Sequence, residues 1–316
     1  MSARDDRILV IKLGALGDMV QAMGPFQAIR RHHAYAHVAL LTTAPFVDFA
    51  RATGWFDDVW VDARPRGLDL GGWLDLRRRL RGGGFRRIYD LQTSDRSGAY
   101  FRLLLPGRRP EWSGIASGCS HPHANPHRDA MHTLERQAEQ LAQAGIATVP
   151  APDLGWAEAD VGRFGLAAPY VLLVPGGAAH RPAKRWPADR YRTLAKRLLA
   201  AGVTPVLIGG SGERPLTALI ALGLDGVRDL AGDTGLLDLA VLARGAAAAI
   251  GNDTGPMHVA AAAGCPTVVL YSAESDPALC AQRGSDIVIL RRDSLADLPV
   301  EAVLAALPAA IGVAET

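Results

Sequence analysis

Lysine is nearly missing from this chain: of 34 basic residues only Lys12, Lys184 and Lys196 are lysines, and the others are arginines. Two of the three fall inside motifs described below. Cysteine is as scarce, at three residues (Cys119, Cys265, Cys280) with no CxxC pair and an odd one left over. That excludes a disulfide scaffold and agrees with a reducing cytoplasm. Long apolar runs are lacking as well. The longest uncharged window, residues 255–272, is interrupted by Gly264 and Pro266 and reads as a helix plus a strand, not a membrane span. The opening MSARDDRILVIKLG carries an apolar run of strand length behind two aspartates, where a signal peptide would need a longer one. A net charge of +2 does not by itself suggest nucleic acid, and 21% charged residues without a long polar tract exclude a disordered chain. The expectation is a soluble protein, at most peripheral to a membrane.

What is present is a twice-repeated alternation of strand and helix. Residues 7–12 read as a strand, 13–17 as a glycine-containing turn and 18–31 as a helix. Strands follow at 38–41, 59–61 and 88–91, with helices at 46–52, 73–81 and 94–105. Residues 111–127 are poorly patterned and precede a long helix over 129–144. The aperiodic, proline-bearing ATVPAPDL (147–154) marks a boundary, placing one domain at 1–152 and a second at 153–316. The pattern then restarts, with strands at 170–174, 204–208, 227–230, 246–250, 267–271 and 287–290. Helices are expected at 187–201, 215–222, 236–242 and 300–307. Two Rossmann-like α/β domains facing each other across a cleft is the most economical architecture.

The most informative stretch is GNDTGPMHVAAAAG, Gly251 to Gly264. An apolar strand turns through Asn252, Asp253, Thr254, Gly255 and Pro256 into an alanine-rich helix, and another strand follows. In such a unit the helix amino end offers unpaired N–H groups and partial positive charge, which suits a phosphate. Asp253 or Thr254 would serve equally as a helix cap. His258, one turn into the helix, suits a packed side chain as well as a site residue. A second loop, VPGGAAHRPAKRWP, places Gly176 and Gly177 where backbone can approach a ligand, and Lys184 and Arg185 just before a helix. A flexible ammonium there suits a diphosphate, and a solvated basic loop is the plain alternative. Glu213, after Gly209-Gly210, could hold a ribose hydroxyl or sit exposed in a first helical turn.

The first turn, KLGALGD, has glycines at 14 and 17 only and is not the G-x-G-x-x-G dinucleotide fingerprint, which weakens an NAD reading. Asp18 at the following helix start is either a first-turn acid favoured by the helix dipole or a cleft carboxylate able to take a proton from a hydroxyl. His121, His123, His127 and His132 have irregular spacing, interrupted by Pro122 and Pro126, and match no zinc pattern. The arginine run 77–87 with Arg102, Arg108 and Arg109 reads as a solvated helix face or as an attractor of anionic lipid or substrate.

Three segments together resemble the heptosyltransferases, the family 9 glycosyltransferases of lipopolysaccharide core synthesis. They are ILVIKLGALGDMVQAMGPFQAIR, PGGAAHRPAKRWPADRYRTLAKRL with VLIGGSGE, and GNDTGPMHVAAAAGCPTVVLYSAESDP. The resemblance implies the GT-B fold, with an N-terminal acceptor-binding domain and a C-terminal nucleotide-sugar domain. It implies transfer of a heptose from an ADP-sugar to a lipid A-linked acceptor, with inversion, no metal and no cofactor besides the donor substrate. Such an enzyme works in the cytoplasm, with room for peripheral contact at the inner membrane. By position, Asp18 resembles the family's general base, with Lys12 and Gly17 beside it at the cleft. Lys184 resembles the lysine on the donor phosphates, flanked by the Gly176, Gly177 and Ala178 loop. Glu213 resembles the ribose-binding acid, and Asp253, Thr254, Gly255 and His258 the donor-binding turn. Gln92, Asp95 and Arg96, beyond the 88–91 strand, are the acceptor-side expectation. YSAESDP stands where the family commonly has Gly-Pro-Thr before Asp-Pro. Other readings are a nucleotide-sugar enzyme with another donor or acceptor, and a catalytically inactive nucleotide-binding assembly protein.

Overall fold

The computed structural model describes residues 6–107, 109–178 and 180–312. The first five residues and Arg108 of the arginine run lie outside these. The chain divides into two compact units, Met1–Ala151 and Pro152–Thr316.

Unit one carries β1 (Arg7–Ile11), β2 (His37–Thr42), β3 (Asp58–Val61), β4 (Arg87–Asp90), β5 (Glu111–Gly114) and β6 (His121–Pro122). They form one parallel sheet in the order β3-β2-β1-β4-β5-β6. Its helices are α1 (Leu16–Gln21), α2 (Met23–His32), α3 (Val47–Ala52), α4 (Leu70–Gly82), α5 (Asp95–Leu103) and α6 (Thr133–Gln143). Ile8 to Ile11 and Val38 to Leu41 are fully buried, as expected of strands covered on both faces. Leu76 and Leu80 of α4, with Tyr100 and Phe101 of α5, pack on one face of that sheet against Leu9, Ile11 and Trp112.

Unit two repeats the plan with β7 (Tyr170–Val174), β8 (Thr204–Leu207), β9 (Arg228–Asp229), β10 (Ala248–Asn252), β11 (Thr267–Tyr271) and β12 (Ile287–Arg291). The parallel order β12-β11-β10-β7-β8-β9 is the same winding, first strand at the centre. Its helices are α7 (Ala188–Ala200), α8 (Arg214–Ala221), α9 (Leu236–Gly245), α10 (Gly255–Ala262), α11 (Pro277–Cys280) and α12 (Val300–Ala305). Each sheet reverses its winding between two central strands, β1/β4 and β7/β10, and the crevice beyond their carboxyl ends is where such sheets bind ligands. No helix among the described residues is long and apolar enough to cross a membrane.

The structure departs from the sequence pattern in four places. Residues 111–127 hold β5 and, at the sheet edge, β6, strands of four and two residues without an apolar run. The expected helix over 18–31 is two helices broken at Ala22, because Pro25 has no N–H to offer the Gln21 carbonyl. The helix expected from Asp129 starts at Thr133, where His132 Nδ1 accepts the Leu134 N–H at 3.2 Å, and residues 128–130 form a 3-10 turn instead. Finally, Pro277–Cys280 is a one-turn helix capped by Asp276, shorter than any periodicity can reveal.

Candidate functional site

In unit one the β1 and β4 loops bring Lys12, Asp18, Leu91, Gln92 and Thr93 together with Arg128, Asp129, Arg136, Gln137 and Gln140 around a recess of about 280 Å³. Lys12 ends β1 with its side chain turned inward. It is 4% exposed, and its Nζ donates to the Leu91 carbonyl at 3.1 Å. Burial lowers its pKa, and the Asp18 and Asp90 carboxylates pull it back up while Arg136 opposes them. Asp18 is half-buried in the first turn of α1, where one oxygen, Oδ2, accepts the Ala15 N–H at 3.0 Å. The helix-start reading is thus observed, with Asp18 closing the first turn of α1 through Oδ2. Gly17 lies between them in the same turn.

Below the recess Asp90 is fully buried. Burial pushes its pKa up to about 6, against the Thr93 and Gln92 N–H groups and the Lys12 charge. Gln92 lines the recess, but its Oε1 already accepts the Leu13 N–H at 2.8 Å. Asp95 and Arg96 do not line it. Asp95 is an exposed first-turn acid of α5, and Arg96 donates to the Pro65 carbonyl at 3.1 Å. The arginines that do reach the recess are Arg128, in the 3-10 turn just after the poorly patterned stretch, and Arg136, in the helix expected there, neither of them singled out in the sequence. Arg128 Nη2 and Gln137 Oε1 are buried without a hydrogen-bond partner among the described residues, where buried polar groups are ordinarily paired.

His132 caps α6, His127 is exposed, and His121 lies 3.8 Å from Glu111. His123 is 3% exposed and 3.4 Å from Glu139; burial and then Arg128 lower its pKa, Glu139 opposing. No group of three or more metal-ligating side chains occurs among the described residues.

In unit two the β7 and β10 loops build a second cluster. Lys184, in a single 3-10 turn, places Nζ 2.6 Å from Asp253 Oδ2, with side chains 14% and 7% exposed. Ser275 Oγ donates to the same oxygen at 2.8 Å, and Gln282 Nε2 reaches Oδ1 at 3.3 Å. Burial alone would raise the Asp253 pKa. The hydrogen bonds from Lys184 and Ser275 and the Lys184 and His258 charges outweigh it and hold the group below its ordinary value. Ser275 belongs to the YSAESDP departure, so that segment still delivers a donor to the centre. Thr254 occupies the N-cap of α10 with no side-chain cap bond, and neither it nor Asp253 is spent on capping. Gly255 and Pro256 open that helix, and His258 lies buried one turn in.

Two further residues set the shape of this cluster. Asn252, expected in the turn, is the last residue of β10 and is fully buried. Its Nδ2 donates to the Pro175 and Gly176 carbonyls at 2.8 and 3.0 Å, and its Oδ1 accepts the Trp186 N–H at 2.9 Å. One amide thus ties the loop after β7 to β10, which no local pattern could announce. Glu213 bridges the two glycine turns: Oε1 accepts the Gly177 N–H at 2.9 Å and Oε2 the Gly210 N–H at 2.8 Å. A Cβ at Gly176 would stand 1.6 Å from Glu213 Oε1, so any other residue there would have to displace that carboxylate. Ala178 is exposed at the loop's outer edge.

A profile of "Glycosyltransferase family 9 (heptosyltransferase)" matches residues 73–294. Lipopolysaccharide heptosyltransferase 2 of Salmonella typhimurium is 40% identical over 112 residues, 34% of this chain and 32% of that protein. The chain thus aligns with about a third of the length of such relatives. Lipopolysaccharide heptosyltransferase 1 of Pseudomonas aeruginosa is 26% identical over 299 residues, covering 84% of this chain and 78% of that one. The E. coli ADP-heptose lps heptosyltransferase II structure superposes with a TM-score of 0.80 at 24% identity, over 96% of this chain and 98% of that chain. That likeness shows the two-domain GT-B fold. The matched profile covers well over half of the sequence, and the chain belongs to glycosyltransferase family 9, the heptosyltransferases.

Proposed function

We propose that this protein is an inverting, metal-independent glycosyltransferase that moves a heptose from ADP-heptose to an acceptor of the lipopolysaccharide-core type. The observation that carries the reading is the unit-two cluster: a lysine ammonium beside the uncapped start of α10, at the carboxyl edge of β7 and β10. A diphosphate there accepts hydrogen bonds from helix N–H groups and charge from Lys184. Glu213 and the Gly176–Gly177 turn take the ribose side, with Asp253, Thr254, Gly255 and His258 around the phosphates. As the bond to the sugar breaks, negative charge grows on the departing ADP, and Lys184 with the helix dipole stabilises it where it develops.

Unit one takes the acceptor. Asp18 Oδ1 removes the proton from the attacking hydroxyl, whose oxygen enters the anomeric carbon from the side opposite the leaving phosphate, inverting it. Lys12 supports Asp18 from below as a buried countercharge, and Arg128 and Arg136 make the recess receptive to an acidic acceptor. A lipid-linked acceptor requires the enzyme to work at the cytoplasmic face of the inner membrane.

The test is a thermal-shift titration with ADP, UDP, GDP and NAD on wild type and Lys184→Ala, followed by turnover of Asp18→Asn. A ligand at 100 times its Kd stabilises by ~2.7 kcal/mol. The expected result is stabilisation by ADP alone, weakened in Lys184→Ala. Asp18→Asn should keep the ADP shift and lose ~10²–10⁴-fold in kcat. A shift with UDP or GDP alone replaces the donor; an Asp18→Asn enzyme at wild-type rate removes the base.

A further inference from the structure

Helix α4 carries a stripe that the core does not use. Leu70, Leu74, Arg77 and Arg81 recur at the spacing that puts side chains on one face of a helix. Leu76 and Leu80, on the opposite side, are buried against the unit-one sheet. Leu70 is 69% exposed, Leu74 56%, and Leu68 just before the helix 93%. Side chains of this size rarely stand in water as a contiguous group without a partner.

The loop after α5 joins the same face. Arg77 Nη2 donates to the Leu105 carbonyl at 3.1 Å and Arg81 Nη1 to the Pro106 carbonyl at 3.0 Å, and Leu105 is 39% exposed. Arg81 and Arg109 together line a recess of about 640 Å³. Among the described residues none of Arg77, Arg81 and Arg109 has a carboxylate partner. The nearby acids are engaged, Asp69 as the α4 cap, Asp75 with Arg78, and Glu111, which lines the same recess, with Arg86 and Arg87. The face is therefore apolar at its amino end and uncompensated positive charge at its carboxyl end.

We propose that this face, Leu68 to Arg81 of α4 with the Leu105 loop and Arg109, docks on an anionic lipid bilayer. The leucines enter the acyl boundary while the arginines, with long apolar stems, reach headgroup phosphates. Charge complementarity selects this occupant: an apolar protein partner would leave the arginines unpaired, and an acidic one would leave the leucines in water. In a parallel αβ unit the start of a helix lies at the carboxyl edge of the sheet. The leucine end is thus on the side of the Asp18 recess, where a lipid-linked acceptor would have to arrive. The inference rests on the acceptor reading above, but its test uses neither donor nor acceptor.

The experiment is vesicle co-sedimentation of the full chain, with phosphatidylglycerol–phosphatidylethanolamine vesicles against phosphatidylcholine alone. It compares wild type, Leu68→Ser/Leu70→Ser/Leu74→Ser and Arg77→Gln/Arg81→Gln/Arg109→Gln. All positions but Arg77 are exposed, and an unchanged ADP thermal shift verifies folding and reads the donor site separately. Wild type should bind the anionic vesicles only, and less at high salt. The arginine variant should bind ~10²-fold more weakly, at ~5-fold per charge, and the leucine variant should release the anionic vesicles too. Equal binding to both vesicle types, no binding by wild type, or wild-type binding by both variants would overturn the proposal. So would a dimer in light scattering that the leucine changes dissolve.

Discussion

Lys184 Nζ and Asp253 Oδ2 stand 2.6 Å apart although 69 residues separate them in the chain. The lysine comes from the loop after β7 and the aspartate from the end of β10, adjacent parallel strands whose carboxyl ends deliver both to one point. The pair is mostly buried, so neither charge is inert without the other. Lys184→Met should cost about 3 kcal/mol, because it strands a buried carboxylate. The double variant with Asp253→Leu should be less destabilised than the sum, with a coupling of about 0.5–3 kcal/mol. Urea denaturation of the four proteins measures it, and strict additivity would show that the contact carries no stability.

Gly176 and Gly177 make a sharper contrast than their adjacency suggests. A methyl at Gly176 meets Glu213 Oε1 at 1.6 Å, whereas at Gly177 the nearest atom is Arg185 Cγ at 3.6 Å. Gly176→Ala should expel the Glu213 carboxylate from both glycine turns, lowering stability by about 3 kcal/mol for two charged hydrogen bonds, and should abolish the ADP shift. Gly177→Ala should melt within a degree or two of wild type and keep the shift. Similar losses in both would mean that the turns need glycine for another reason.

Asn252 is irreplaceable by its own isostere. It donates to two carbonyls and accepts a main-chain N–H, all within the core of unit two. Asn252→Asp keeps the acceptor but points negative charge at the Pro175 and Gly176 carbonyls, and Asn252→Ala leaves all three groups unpaired. Each should lose about 3 kcal/mol or more by denaturant titration. Acidification that protonates the new carboxyl should restore part of the stability of Asn252→Asp only.

Two buried groups of unit one, His33 and Asp90, respond to acid with opposite signs. His33 is hydrogen-bonded to the Tyr89 hydroxyl at 2.9 Å, and burial with the neighbouring His32 and arginine charges pushes its pKa down to about 3. Its neutral burial contributes fully above pH 6.5, the unperturbed value, and that contribution is lost as the pH falls towards 3. Asp90 runs the other way: with a folded value of about 6 above an ordinary 3.8, its burial costs more as the pH rises from 3.8 to 6. Between about pH 4 and 6 the two slopes, up to ~1.4 kcal/mol per pH unit each, oppose one another. Asp90→Asn should therefore lose stability more steeply than wild type on acidification from pH 6 to 4, read from urea midpoints. Parallel curves would show that Asp90 is not buried as an acid.

The alternation of apolar strands and amphipathic helices made the doubly wound plan legible, since periodicity is a local property and the central strands β1, β2, β7, β10 and β11 are long enough to display it. β5 (EWSG) and β6 (HP) were illegible because, unlike the equally short β3, β4 and β8, they carry no run of apolar residues, and the four residues of α11 make no helical period. The glycine turns and their acids were legible as places where backbone and charge concentrate at helix starts. Their partners were not. Arg128 and Arg136 arrive at the Asp18 recess from the turn before α6 and from α6 itself, while Asp95 and Arg96, nearer in sequence, turn elsewhere.

The amino-acid sequence by itself therefore determined the two-unit α/β architecture, the glycine turns at the helix starts and the family to which the chain belongs, because each of these is written in short segments. Tertiary structure alone decided that Lys184 faces Asp253, that Glu213 stitches two glycine turns, that Asn252 is a buried tie at a strand end and not a turn residue, and that the α4 leucines face outward. Those are relations between segments dozens of residues apart, and only the register of a parallel sheet and the packing of helices on it bring such segments within hydrogen-bonding distance.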